Sequence, residues 1–201
     1  MTKKIAITGG IGSGKSVVLQ CAKNLGYPVF SCDEIYRDII KTPAYVEKIS
    51  SIFPDCVIGG AIDKKRLAEI VFNNDSALQK LNEVAHPMIM NVLFSEMDKV
   101  KEKIAFAEVP LLFEGSYENK FHETIYVKRN MDARIKAIVR RDQTDECSAK
   151  KRIATQFDPD SKMGQEKLKN IGASILENNA DISYLEKWLQ NFISRILCET
   201  N

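Results

Sequence analysis

Gly9-Gly10-Ile11-Gly12-Ser13-Gly14-Lys15-Ser16 decides how the whole chain is read. The octet matches G-x-x-x-x-G-K-[ST], and its flanks are the ones that pattern requires. An apolar run, Ile5-Ala6-Ile7, leads in as a strand. A helical pattern leads out, with Val18, Cys21, Ala22 and Leu25 at i, i+3, i+4 and i+7 and a stop at Gly26 before Pro28. Glycines let successive backbone N–H groups turn toward one anion, and the helix N-terminus adds its partial positive charge. Lys15 supplies a mobile full charge for β- and γ-phosphates, and the Ser16 hydroxyl is placed to ligate Mg²⁺. Strand, loop and helix in this order indicate a nucleoside triphosphate site.

The 201 residues suffice for one α/β domain carrying a smaller lobe. A formal net charge of +2 argues against a general nucleic-acid or membrane-surface binder, so any positive patch must be local. No run of 18 apolar residues is present, and Thr2-Lys3-Lys4 passes straight into the first strand without a signal-peptide core. Five scattered cysteines with no C-x-x-C pair read as reduced thiols of a cytoplasmic protein. His86 and His122 have no ligand-spaced partner, so no transition-metal site is expected.

Along the chain, Pro28-Val29-Phe30 is a short strand ending at Ser31-Cys32-Asp33-Glu34. Ligands gather at the carboxyl ends of strands in open α/β sheets, so Asp33 is expected on the phosphate side. There it would take or orient the proton of an acceptor hydroxyl, or hold a water of the Mg²⁺ shell. The competing reading is an aspartate capping a helix over 34–40, and the residues alone leave both open. Helical patterns then fill 35–103, with no strand expected among them. Thr42-Pro43 opens one and Asp63 caps another. Ser76-Ala77-Leu78-Gln79 is a capping box for a helix to Ala85, and Pro87 starts a longer one. That is too much helix for a single crossover, so part of it should form a lobe over the substrate.

Ile104 to Val109 reads as a strand buried on both faces, and it leads into Pro110-Leu111-Leu112-Phe113-Glu114-Gly115. Glu108 is either a Walker-B-like metal partner or a structural pair, and lies before the strand end. Thr124 to Val127 and Ser174 to Leu176 complete five strands, and Asn130 caps the helix between them. Arg140, Arg141, Lys150, Lys151 and Arg152 form a basic stretch that is either a lid closing arginines onto a triphosphate or a solvated face.

Taken together, the octet, Asp33 after the second strand, His86-Pro87, Pro110-Leu111-Leu112-Phe113-Glu114, Arg141-Asp142, Gln156 and Glu177-Asn178-Asn179 resemble the dephospho-CoA kinase family in order and over nearly the whole chain. The resemblance implies a P-loop NTPase-type α/β three-layer sandwich, with a five-stranded parallel sheet, a helical substrate-binding lobe and a lid. The core would be 1–34, 104–140 and 160–201, the CoA-binding lobe about 35–103 and the lid about 141–159. It also implies transfer of the ATP γ-phosphoryl to the ribose 3′-hydroxyl of dephospho-CoA, with Mg²⁺, as the last step of coenzyme A synthesis. Carried over by position, Gly12, Ser13, Gly14, Lys15, Ser16 and Val17 would cradle ATP, with Ser16 on Mg²⁺. Asp33 would be the base or the hydroxyl-orienting group. His86, Pro110, Leu111, Leu112 and Glu114 would line the acceptor site, Arg141 would serve catalysis from the lid, and Asn178 would lie near the adenine.

The chain departs from the pattern in places. Ser31-Cys32-Asp33 stands where the family usually has Asp-Ala-Asp, and Val17 where it has threonine. Arg134 and Ala137 stand where it has Gln-x-x-Arg, and Gly172-Ala173 where it has Ala-Asp. A GTPase would need Asn-Lys-x-Asp and a switch Asp-x-x-Gly, which the chain lacks. Another small-molecule kinase and a non-catalytic ATP-binding module are the remaining alternatives. The expected partners are ATP and dephospho-CoA, with no nucleic acid and no membrane, acting on a monomer or weak homo-oligomer.

Overall fold

Ile5, Ala6 and Ile7 have no exposed surface, and the main sheet extends to both sides of the strand that carries them, β1 (Lys3–Thr8). The computed structural model describes residues 2–72 and 74–198. In chain order β1 is followed by α1 (Lys15–Asn24), β2 (Val29–Ser31), α2 (Cys32–Ile39), α3 (Pro43–Ile52), β3 (Val57–Ile58), β4 (Ala61–Ile62), α4 (Lys64–Phe72) and α5 (Asp75–Asp98). Then come β5 (Ile104–Glu108), β6 (Glu123–Lys128), α6 (Met131–Asp142), α7 (Glu146–Ala154), α8 (Lys162–Asn170), β7 (Ser174–Glu177) and α9 (Ile182–Cys198). Two units result, Met1–Phe30 with Val100–Asn201, and Ser31–Lys99.

In the first unit the strand order is β2-β5-β1-β6-β7, the expected five-stranded parallel sheet. Ile5 stands opposite Phe106 on one side, and Thr8 opposite Tyr126 on the other. The apolar runs that made these strands legible are buried on both faces, as parallel strands require. Val18, Cys21 and Ala22 of α1 join Leu185, Leu189, Phe192 and Ile196 of α9 against Ile5, Ile7, Phe106 and Val127. Each large side chain so removed from water adds about 1.5–3 kcal/mol before the cost of ordering it. A second cluster ties α6 to α7 through Ile135, Ile138, Ala149 and Ile153.

The second unit has its own core, built on Tyr45, Ile49, Leu67, Val71, Ala77 and Ala85. Thr42 and Asp63 cap α3 and α4 as expected, each accepting a backbone N–H. Two expectations are corrected here and one open alternative is closed. Residues 35–103 do contain strands: β3 and β4 pair antiparallel across Gly59-Gly60, a two-residue hairpin signal outweighed by the surrounding helical pattern. Pro87 starts no new helix. One 24-residue helix, α5, runs through it, capped by Asn74 rather than Ser76. Proline there removes the N–H that would pair with the Glu83 carbonyl and costs about 3 kcal/mol. Burial of Ala77 and Ala85 before the proline and of Met90, Leu93 and Met97 after it offsets that cost. Thirdly, Asp33 is not a cap. Ser31 holds that place, and Asp33 sits in the first turn of α2, where a carboxylate is favoured by the helix dipole.

Candidate active site

Between Thr8 and Lys15 the chain has no regular structure, and its carbonyls are held instead by side chains. Lys15 folds back so that its Nζ donates to the Gly9 carbonyl at 2.8 Å and the Gly10 carbonyl at 3.2 Å. Arg134 Nε donates to the Ile11 carbonyl at 3.0 Å, and Arg129 Nη1 to that of Gly12 at 3.4 Å. Asn178 Nδ2 donates to the Ser13 carbonyl at 2.7 Å. In a trans peptide the C=O and the following N–H point in opposite directions. Carbonyls fixed on Arg134 and Asn178 therefore turn the amides of Gly12 and Gly14 away from those side chains, while the Ser13 N–H donates to the Gly10 carbonyl at 3.1 Å. Such a row of amides beginning a helix is an anion-binding nest.

Gly14 shows why this loop has to be glycine-rich. It caps α1 with φ at 88°, and a Cβ there would meet Asn178 Nδ2 at 2.2 Å. Lys15 is nearly buried, whereas Ser16 and Val17 are exposed in the first turn of α1. Ser13 is buried, and its hydroxyl has no hydrogen-bond partner.

Thr8, Gly9 and Gly10 share a cleft with Pro110, Phe113, Glu114, Tyr126, Gln156 and Phe157. The segment expected at the acceptor site thus borders the phosphate loop, though its members differ. Leu112 is fully buried and serves packing, while Glu114 is exposed and accepts the Phe157 N–H at 3.2 Å. Phe113 stacks on Phe157 at 4.2 Å, and Lys167 lies 5.2 Å above the Phe113 ring. Burial pushes the Tyr126 hydroxyl pKa up to about 12, with Arg134 opposing. Glu108 is the final residue of β5, opposite Ile7.

The chain belongs to the dephospho-CoA kinase family. Residues 3–183 match that family's model, whose description is Dephospho-CoA kinase. A dephospho-CoA kinase of Fusobacterium nucleatum is 32% identical over 98% of this chain and 97% of its own length. A crystal structure from Thermus thermophilus superposes with a TM-score of 0.80 at 30% identity, covering 96% of this chain and 97% of that one. A dephospho-CoA kinase from Campylobacter jejuni gives 0.69 at 29% identity, with both chains fully covered. The chain is therefore a P-loop-type kinase of the last step of coenzyme A biosynthesis, using ATP. No helix among the described residues is long and apolar enough to cross a membrane.

The other residues expected for a dephospho-CoA kinase site fall as follows. Arg141 donates Nε to Asp142 at 2.7 Å, and Arg152 donates to the same carboxylate. The Arg141 hydrogen bond, chiefly, and that from Arg152 hold the Asp142 carboxyl down at about 2. Asn178 spends its side-chain amide on Ser13, and its backbone N–H on the Lys128 carbonyl at 2.7 Å. Asp33 and His86 belong to the second unit, Asp33 exposed in α2 and His86 half-buried in α5 just before Pro87. Sequence reasoning missed Arg129 and underrated Arg134. The available signal was the departure itself, an arginine where the family usually has glutamine.

Proposed function

We propose that the loop from Gly12 to Val17 cradles the ATP phosphates, that Lys15 leaves the Gly9 and Gly10 carbonyls to neutralise them, and that Asp33 orients or deprotonates the ribose 3′-hydroxyl of dephospho-CoA. The observation that carries this reading is the outward anchoring of the Ile11 and Ser13 carbonyls, which turns the Gly12 and Gly14 amides away from Arg134 and Asn178, as an anion-binding nest requires. Phosphoryl transfer depends mainly on positioning and charge neutralisation, the two things such a nest and an ammonium supply. His86, Pro110, Leu111, Leu112 and Glu114 would form the acceptor side, Leu112 through its backbone. Residues 35–103 would act as the CoA-binding lobe and 141–159 as the lid, with Arg141 exchanging Asp142 for phosphate. Asn178 would approach the adenine only from behind Ser13.

Mg²⁺ fits the donor set in one way. Among the described residues no cluster of three or more His, Cys, Asp or Glu is placed to hold a metal. Magnesium is commonly bound through substrate phosphates, waters and few protein oxygens, so the exposed Ser16 hydroxyl would be its protein ligand. Bound there, it supplies charge neutralisation to the phosphates. Free thiols at Cys21, Cys32, Cys56, Cys147 and Cys198 support work in the reducing cytoplasm. The chain would act as a monomer or weak homo-oligomer. A coupled ADP-release assay offering dephospho-CoA, adenosine, AMP and pantothenate tests the reading. Turnover with dephospho-CoA far above the others is expected, and ADP release independent of it would overturn the assignment.

A further inference from the structure

Of the three outward carbonyls, that of Ser13 is held by a neutral amide, whereas those of Ile11 and Gly12 are held by guanidinium groups. Arg134 makes the shorter of the two charged contacts. It reaches the loop from the first turns of α6 and lies so close that a Cβ on Gly10 would meet its Nη2 at 2.2 Å. Tyr126, Asp158 and Asp160 face the half-buried guanidinium and oppose the effect of its burial.

Ile11 is gripped from its other end as well. Its N–H donates to Gln156 Oε1 at 2.6 Å, and its side chain packs against the α6–α7 cluster. Arg134 therefore fixes the Ile11–Gly12 peptide through its C=O, and Gln156 fixes the Gly10–Ile11 peptide through its N–H. A cation on a carbonyl polarises the peptide, and the N–H on the other side becomes a stronger donor to an anion.

We propose that Arg134 is a positioning residue of the phosphate loop: with Gln156 it sets the two peptides flanking Ile11, so that the Gly12 amide is aimed at the nucleotide phosphates before they arrive. This role rests on the nucleotide reading of the loop and requires no contact between Arg134 and ATP. It differs from simple anchoring of α6 because the effect must pass through an N–H to the phosphate. Loss of the charged donor weakens nucleotide binding and leaves acceptor binding alone.

The test uses the full chain with Arg134→Met, Arg134→Lys and Gln156→Met, and Lys136→Met as an exposed charge-loss control on the same helix. ADP affinity by titration calorimetry, KM for ATP and for dephospho-CoA, and melting temperature are measured for each. Arg134→Met is expected to weaken ADP about tenfold or more, as for a lost charged hydrogen bond. The dephospho-CoA KM should move by less than about twofold, since uniform loss of structure is not the cause. Arg134→Lys should recover most of the affinity because an ammonium still donates to the Ile11 carbonyl. Gln156→Met should weaken ADP in the same direction, and Lys136→Met should match the parent. Unchanged ADP affinity in Arg134→Met, equal loss in the Met and Lys variants, or equal rises in both KM values would overturn the proposal. Should Arg134→Met fail to fold, Gln156→Met that binds ADP as tightly as the parent overturns it instead. A parent chain that binds no ADP would overturn the nucleotide reading and this role with it.

Discussion

Asn178 and Ser13 stand 165 positions apart in sequence, yet the Asn178 side-chain amide donates to the Ser13 carbonyl at 2.7 Å in the buried interior. The contact ties the phosphate loop to the end of β7. Truncation to Asn178→Ala leaves a buried carbonyl unpaired and should cost about 1–3 kcal/mol. Urea denaturation measures it, and nucleotide affinity should fall as well because the Gly14 amide loses its fixed direction.

Gly14→Ala tests the same corner from the other side. The added methyl collides with Asn178 Nδ2, and the φ of 88° is itself unfavourable for an L-residue. Removing the collision with the double change Gly14→Ala, Asn178→Gly should restore only part of the loss. Measured against Asn178→Gly alone, which already lacks the Ser13 contact, the left-handed backbone leaves a residual penalty of about 1–2 kcal/mol. A double variant as stable as Asn178→Gly in chemical denaturation would show that backbone conformation is irrelevant there.

For Asp33→Asn, kcat with dephospho-CoA should drop about 10²-fold or more, as expected of a positioned proton acceptor. Affinity for ATP should hardly change. Steady-state kinetics with ADP binding measured separately decides this, and retained turnover would remove Asp33 from the chemistry.

Acid should loosen the α6–α7 turn through Asp142. Its carboxyl is held down at about 2 by Arg141 and Arg152, below the ordinary carboxylate range. A depressed pKa adds stability that is present above the unfolded value and is lost as pH falls from near 4 through 2. Because Arg141 and Arg152 are largely exposed, solvent screening limits the gain to under about 1 kcal/mol. Asp142→Asn should therefore melt slightly lower than the parent at pH 6, and the two should converge near pH 2. A constant gap across that range would show that the carboxylate charge contributes nothing.

Legibility followed range along the chain. The loop octet, the buried strands and the capped helices α3, α4 and α6 depend on neighbouring residues, and all were readable in advance. What escaped depended on distant partners. Pro87 reads locally as a helix start, and only the buried side chains on both sides of it show why the helix continues. Asp33 reads equally as a cap until Ser31 is seen in that place. Arg129 drew no reading and Arg134 only a departure from the family pattern, because no local signal reveals that a loop 117–123 positions earlier presents its carbonyls to them. Candidate chemistry was thus legible where it lay in one stretch, and the side chains that shape it were not.

Ile11 packs its half-buried side chain against Ile135, Ile138, Ala149 and Ile153 while its backbone is held by Gln156 and Arg134. Hydrogen–deuterium exchange should register that double duty. Amides of α7, inside the proposed lid and packed against Ile11, should exchange more slowly once the loop is filled, making that helix a gauge of occupancy.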